Sequence, residues 1–299
     1  MRFIIAEEAI MNQNASLTAE QFKAKTHQAW NHAAKGWNKY TPQIHQWLAA
    51  STQLMLDLAE IKPGFSVLDV AAGAGDQTLD AARRAGASGS VLATDISELI
   101  LELAQENAQK AGLNNVETKV ADAENLDLPP ASFDAAICRL GLMFCPDPLK
   151  ALHQMQHALK PGSRVCVMVF SQPEKNPCVG ILLQTAFKYA GLPPPSPYQP
   201  GGLFSLGKPG HLDELFESAG FENVSSRAVQ APFNLPSAGS YLEFIRNSAS
   251  PIMQILGALN DSDRALAWGE MEQKLQIFET ESGWQGPNDL LLTAGSKKP

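Results

Sequence analysis

Hydrophobic and polar positions along the chain follow two rhythms. From residue 17 to 60 the apolar positions recur at helical spacing. Thr18 followed three residues later by Gln21 predicts a capped helix start, and Thr41-Pro42 predicts a second start after a break. From Ile61 onward short β-forming runs take over. They predict strands at Phe65–Val70, Ser90–Asp95, Val116–Ala121, Phe133–Leu140 and Arg164–Phe170. Between them, helical patterns cover residues 76–86, a stretch from Ser97 to about Ala111, and Asp147–Leu159. Gly86, Gly112 and Pro161-Gly162 stand where such helices stop. The fourth run is nearly all apolar, as a strand buried on both faces must be. Strands alternating with helices predict right-handed crossovers and an α/β, Rossmann-like, doubly wound sheet. Ligands of such sheets sit at the carboxyl ends of the strands.

After Phe170 the pattern is less regular. Residues 177–190 read as a strongly apolar helix, and Leu192–Gly202 carries five prolines, which predicts a stiff linker or lid. A helix over His211–Ala219 ends at Gly220, and Val224–Leu235 reads as a sixth strand broken at Pro232. Residues 237–279 read as about two helices interrupted near Asn260-Asp261, and Asp289–Thr293 as a short last strand. The expected organisation is an N-terminal helical arm and lid over 1–60 and a core over 61–171. Residues 172–299 then hold the rest of the sheet (about 208–235 and 287–296), with helical cap insertions at about 177–207 and 237–280.

Composition narrows the class. Of 299 residues, 44% are hydrophobic and 18% charged, which describes a soluble globular protein of one large domain or two modest ones. A formal charge of −8 argues against a broad nucleic-acid or anionic-membrane surface. Cys138, Cys145, Cys166 and Cys178 form no CxxC pair and sit in apolar surroundings, so reduced and mostly buried thiols are expected. His153 and His157 share a helix face, but HQMQH lacks the glutamate of a zinc motif and no metal is expected. No apolar run reaches the roughly 18 residues of a membrane helix. MRFIIAEEAI makes a poor signal peptide, so the expected location is the cytoplasm. Residues 1–15 read as a loosely held arm, with Met11 as an alternative start.

The candidate chemistry lies in Phe65–Thr78, FSVLDVAAGAGDQT: a strand, a small-residue loop and a helix start. Such a loop lets a nucleotide-like ligand approach the backbone. A dinucleotide loop wants a third small residue where Thr78 stands, and Asp76 at the helix start would repel a pyrophosphate. S-adenosylmethionine carries a sulfonium, an ammonium and a ribose but no phosphate, and carboxylates around the loop suit it.

The stretch resembles the first motif of the class I S-adenosylmethionine-dependent methyltransferases, an acidic residue followed by xGxGxG. Here it runs from Asp69 to Gly75 with Ala71 in place of the first glycine. The resemblance covers residues 61–171 through VLATDIS (Val91–Ser97), VADAENL (Val120–Leu126), FDAAICRLGLMFCPDP (Phe133–Pro148) and LKPGSRVCVMVFS (Leu159–Ser171). It is nearest to the small-molecule group that includes the ubiquinone and menaquinone C-methyltransferases. It implies a mostly parallel sheet with an antiparallel last strand, and S-adenosylmethionine as cofactor. The implied cofactor-binding residues are Asp69, Ala71, Gly73, Gly75, Asp95, Ile96, Asp122, Ala123 and Arg139. Gly73 and Gly75 would pass close to the cofactor, and Asp69 would help hold its amino-acid end. Asp95, 26 residues after Asp69, would accept the ribose hydroxyls. Ile96 would pack on adenine, and Asp122 with the Ala123 backbone would read the ring. The Arg139 carbonyl would take the ammonium, its side chain being suited to a carboxylate. Trp37 and Tyr40 fall near a family aromatic that faces the sulfonium. With Arg139 they are the active-site candidates, and no residue identifies itself as a general base.

The implied function is methyl transfer by in-line displacement to a small, partly apolar acceptor, at oxygen, nitrogen or carbon. Phe187, Tyr189, Tyr198, Leu203, Phe204, Tyr241 and Phe244 are expected either to line the acceptor pocket or to form the cap's own core. A quinone-biosynthesis C-methyltransferase is the alternative. Gly162-Ser163 alters the glycine pair usual in that subfamily, and its N-terminal signature is unmatched. A non-catalytic S-adenosylmethionine-binding protein and a dinucleotide oxidoreductase are the readings from other classes. The expected partner is a small-molecule acceptor, with no nucleic acid and no membrane, in a monomer or homodimer.

Overall fold

The computed structural model describes residues 18–248 and 251–299; the arm read over residues 1–15 and the Met11 start lie outside them. The described residues open with two helices, α1 (Ala19–Lys39) and α2 (Thr41–Leu58). The Thr18–Gln21 capping box is present in full, with the Thr18 side chain on the Gln21 amide and the Gln21 side chain on the Thr18 amide. There follow β1 (Ser66–Val70), α3 (Asp76–Ala85), β2 (Ser90–Asp95), α4 (Glu98–Lys110), β3 (Val116–Val120), β4 (Phe133–Arg139), α5 (Pro148–Ala158) and β5 (Leu159–Phe170). The second half holds α6 (Pro177–Tyr189), α7 (His211–Ser218), β6 (Phe221–Gln230), β7 (Phe233–Leu235), α8 (Ala238–Asn247), α9 (Pro251–Gly257) and α10 (Asp261–Leu275). It closes with β8 (Glu279–Thr280), β9 (Gly283–Gly286) and β10 (Asp289–Lys297).

Seven strands form one sheet in the order β3-β2-β1-β4-β5-β10-β6. β1 to β5 pair in parallel, and β10 runs antiparallel between β5 and β6. The strand order reverses direction between β1 and β4, so the crevice for a ligand opens at their carboxyl ends. β4 is buried along nearly its whole length, as its unbroken apolar run requires.

Four elements depart from the sequence reading. β5 begins at Leu159, because the chain already pairs with Phe133 there and slips register before Ala135 meets Arg164, which absorbs Pro161-Gly162 into the strand. The last strand is nine residues long, since Ser296 and Lys297 still pair with β6. The stretch 237–279 makes three helices instead of two; α9 starts at Pro251, a residue suited to the first turn. A second sheet, β7-β9-β8, was not legible. Its strands are two to four residues long and alternate too briefly to show a period.

Among the described residues no helix is long and apolar enough to cross a membrane. Cys138, Cys166 and Cys178 are buried, Cys145 is half-buried, and all four are thiols. Burial pushes the Cys138 and Cys178 thiols up to about 12.

Candidate functional site

A cavity opens at the carboxyl ends of β1, β2, β3 and β4 and continues beneath α1 and α8. Its floor is the loop between β1 and α3. Three residues of this loop have left-handed backbone: Ala71 (φ 56°), Gly73 (φ 58°) and Gly75 (φ 88°). Glycine takes that region without strain, whereas alanine pays a steric cost there. Ala71 therefore occupies a strained position where a glycine would be relaxed. Its methyl group also fixes what stands opposite: a Cβ on Gly141 would lie 2.3 Å from the Ala71 Cβ. Gly73 faces the cavity. Gly75 does not; a Cβ there would press on Ala104 at 3.1 Å, so this glycine serves the packing of the loop against α4.

Asp69 is fully buried behind the loop and is not part of the cavity wall. The Thr78 hydroxyl donates to its Oδ2 at 2.6 Å and the Gln77 amide to its Oδ1 at 3.3 Å. Gln77 also donates to the Ala72 carbonyl at 3.1 Å and reaches the wall itself. Burial pushes the Asp69 carboxyl up to about 7, against the pull of the Thr78 and Gln77 hydrogen bonds and the Arg139 charge. The geometry makes Asp69 the anchor between β1 and the start of α3. From there it could act on a cofactor's amino-acid end only through Gln77 or water, not by direct contact.

Asp95 ends β2 on the wall. Its Oδ2 accepts from the Gly73 amide at 3.0 Å and its Oδ1 from the Ser97 amide at 3.0 Å. One carboxylate thus ties the glycine loop to the start of α4, and a carboxylate's four acceptor sites leave capacity beyond these bonds. Burial raises its pKa, while the Ser97, Gly73 and Ile96 amides oppose the rise. Ile96, Ala71, Asp122 and Ala123 line the same wall. The Asp122 carboxylate accepts from the Glu124 amide at 2.9 Å and from Lys23 Nζ at 2.7 Å, and Lys23 also lies 2.6 Å from Glu124. Lys23 was not singled out from sequence; one lysine in a helix among several gives no signal of a partner 99 residues away.

Helix α1 closes over the loop. Asn31 and His27 both contact Glu98 at the start of α4, at 3.0 and 2.7 Å, and the Ser97 hydroxyl donates to Asn31. The His27 and Asn31 hydrogen bonds hold the Glu98 carboxyl down at about 2. Trp37 meets Trp30 edge to face at 5.5 Å, and its Nε1 lies 3.5 Å from where a Gly73 Cβ would be. Trp37 is therefore on the cavity wall, directly over the loop. Tyr40 is turned away from the cavity: its hydroxyl donates to Glu243 at 3.1 Å and its ring packs on Phe244. The cation–π candidates reduce to the tryptophan. Gly36 lets α1 touch the end of α8, because a Cβ there would fall 1.8 Å from the Asn247 carbonyl oxygen.

Arg139 ends β4 on the wall, nearly buried. Its Nη1 donates to Asp76 at 2.7 Å and to the Thr52 hydroxyl at 2.8 Å. Asp76 also meets His45 Nδ1 at 2.9 Å. The carboxylate expected on the Arg139 side chain is thus the protein's own. The same ion pair moderates the Asp76 charge at the helix start, so repulsion of phosphate there is weaker than the bare sequence implies.

The far end of the cavity is apolar. Of the seven cap residues expected either to line it or to form the cap's own core, Leu203, Tyr241 and Phe244 line it, while Phe187, Tyr189, Tyr198 and Phe204 do not. Phe204 packs instead against Phe170 at 6.0 Å. The wall is completed by Trp47, Phe170 and Phe233, from α2, β5 and β7. Asn288, just before β10, also reaches it. Among the described residues no cluster of three metal-ligating side chains exists.

Residues 41–190 match the model of the ubiE/COQ5 methyltransferase family. The chain is similar to the ubiquinone/menaquinone biosynthesis C-methyltransferase UbiE of Idiomarina loihiensis, 38% identical over 119 residues, which are 40% of this chain and 47% of that protein. It spans about half the length of the curated relatives it matches. Among solved structures, the YcgJ protein of Bacillus subtilis superposes with a TM-score of 0.56 at 20% identity, over 84% of this chain and 99% of that one. The phosphoethanolamine N-methyltransferase 2 of Haemonchus contortus, solved in complex with S-adenosyl-L-methionine, gives 0.54 at 17% identity, over 88% and 57%. These two likenesses establish the fold.

Proposed function

The chain belongs to the ubiE/COQ5 methyltransferase family, and we propose that it moves a methyl group from S-adenosylmethionine to a small, partly apolar acceptor. The observation that carries this reading is the two-ended cavity, with strand-end carboxylates and a glycine loop at one end and an aromatic shell at the other. The donor set fits the cofactor. Asp95 has oxygens left for the ribose hydroxyls, and the Ile96 side chain and the Ala123 backbone suit the adenine. Ala71 and Gly73 allow backbone approach, and the Arg139 carbonyl is a candidate for the ammonium. Asp122 would keep its place beside the adenine amine by sharing its carboxylate with Lys23. Asp69 and Gly75 would act by shaping the loop from behind.

When bound, the cofactor supplies a methyl group on a sulfonium, open to in-line displacement. The chain's own part is to orient and to exclude water. Helix α1, pinned through Lys23, Asn31 and Gly36, covers the loop, and Trp37 is the aromatic candidate to lie beside the sulfonium. The apolar wall around Phe170, Phe233 and Phe244 keeps the acceptor end dry, which strengthens orientation as a source of rate. We assign residues 61–171 to the cofactor core, 1–60 to the arm and lid, and the cap insertions after 172 to the acceptor. The proposed setting is the cytoplasm, acting on a free small molecule without nucleic acid.

Titration calorimetry with S-adenosylmethionine tests the reading. Wild-type protein should bind it, and Asp95→Ala should bind at least about 100-fold more weakly, since charge-assisted hydrogen bonds are worth roughly 1.5–3 kcal/mol each. Equal affinity would remove Asp95 from the ribose site. Tight cofactor binding with no methylated product across phenols, amines and quinols would favour a non-catalytic binder. A quinone-pathway C-methyltransferase is the second reading, supported by the names of the relatives at 38% identity. Methylation of a benzoquinol ring carbon in preference to simple phenols would select it.

A further inference from the structure

The apolar end of the cavity holds two polar groups with no partner among the described residues. Asn288 is 6% exposed and on the wall, and its Oδ1 is sealed from water without a donor among the described residues. Tyr241 is 3% exposed and on the same wall, with no hydrogen bond from its hydroxyl to any described residue. Burial drives its pKa upward, so it is a neutral donor at every ordinary pH. Two other polar groups nearby are occupied. Trp47 Nε1 donates to the Ala231 carbonyl at 2.7 Å, and the Ser205 hydroxyl to the Met143 carbonyl at 2.8 Å.

The Tyr241 ring and the Asn288 backbone are both held in place. The Tyr241 ring stacks on Trp284 at 4.7 Å and packs against Phe233. The Asn288 carbonyl accepts from the Ala231 amide at 2.8 Å, and the next residue, Asp289, gives its amide to Asn176 at 3.0 Å. A buried amide oxygen without a donor costs about 1–3 kcal/mol, and native structures keep few such groups. A ligand oxygen removes that cost. A hydroxyl can donate to the carboxamide oxygen and accept from Tyr241, while a carbonyl can accept from the tyrosine and, with the amide turned over, from the asparagine Nδ2.

We propose that Asn288 and Tyr241 are the acceptor-orienting residues, gripping one uncharged oxygen of the acceptor while the surrounding aromatics take its apolar body. The assignment rests on the methyl-transfer reading, since it needs the apolar end to be the acceptor site. It also makes a selectivity claim. A site built to bond an oxygen rejects the analogue that lacks it far more strongly than an apolar pocket rejects a missing methyl group.

The experiment uses the full chain saturated with S-adenosylhomocysteine, with 2-naphthol and naphthalene as probes, followed by ligand-observed NMR titration. Wild-type protein should bind 2-naphthol at least about 10-fold more tightly than naphthalene. Tyr241→Phe keeps the ring stack on Trp284 and should reduce that preference at least about threefold. Asn288→Leu, close to isosteric, should do the same, and both variants should bind S-adenosylhomocysteine as wild type does. Equal binding of the two probes by wild type overturns the proposal, as does an unchanged preference in Tyr241→Phe; either would mean that water alone satisfies these groups. Failure of wild type to bind S-adenosylhomocysteine overturns the methyl-transfer reading itself, a separate outcome. If Asn288→Leu does not fold, Tyr241→Phe still decides.

Discussion

The two ends of the cavity are built on opposite principles. At the carboxylate end nearly every polar atom already has a partner inside the chain: Asp95 holds the Gly73 and Ser97 amides, Asp69 holds Thr78 and Gln77, Asp122 holds Lys23, and Arg139 holds Asp76. At the cap end the wall is mostly apolar, and Asn288 Oδ1 and the Tyr241 hydroxyl have no partner among the described residues. The first end is stiff because hydrogen bonds fix each group in direction. The second is fixed by packing, which sets shape but leaves few directions. A cofactor that never changes suits the first design. An acceptor recognised by shape and a single oxygen suits the second.

Three experiments probe that contrast. Phe233→Ala should have the largest effect. Its ring is buried among Trp47, Tyr241 and Phe244, and emptying such a site costs about 3–5 kcal/mol. Urea denaturation should show that loss, while the folded fraction keeps its cofactor affinity within about twofold. A matching loss of cofactor affinity would mean that the two ends are one unit.

Next comes the loop itself. Gly141→Ala brings a methyl to 2.3 Å from that of Ala71, and overpacking of this kind costs about 1–3 kcal/mol. Adding Ala71→Gly should restore much of the stability, because it deletes the clashing methyl and relaxes a left-handed alanine. Thermal denaturation of the two single variants and the double variant measures the coupling. Simple additivity would show that the loop yields more readily than its geometry implies.

The smallest effect concerns pH. Asp69 binds its proton more tightly when folded, near 7, than an exposed aspartate does. Its contribution to stability is therefore complete below about pH 4 and is lost as the pH rises through 7. Between pH 5 and 7 the loss is about 2 kcal/mol. Asp69→Asn cannot ionise, so its stability should fall less over that interval by about that amount, read from urea midpoints at the two pH values. An identical pH dependence in both proteins would show that the Asp69 carboxylate is already ionised at pH 5.

Much of the carboxylate end was legible from residue order. Strand, loop and helix are contiguous there, so Asp69 to Gly75 announces a sharp turn, and Asp95 and Asp122 fall at the ends of the next two strands. Their roles were less legible than their places. Asp69 and Gly75 face inward because the strand's alternation and the approach of Ala104 decide direction, and neither can be read from a motif. Tyr40 and Trp37 stand three residues apart in one segment, yet only the tryptophan reaches the cavity. Tyr40 ends the helix and is drawn to Glu243, 203 residues away.

From its own residues the chain determines a doubly wound sheet, a cofactor loop and a helical cover, because periodicity, glycine placement and helix caps are local signals that act over a few residues. Only the tertiary structure decides the acceptor end. Trp47, Phe170, Phe233, Tyr241 and Asn288 come from five separate stretches, and of them only Tyr241 stood among the pocket candidates. They become a chamber because packing, which has no direction along the chain, gathers them. The unpaired oxygen of Asn288 exists only once that packing has excluded water from it.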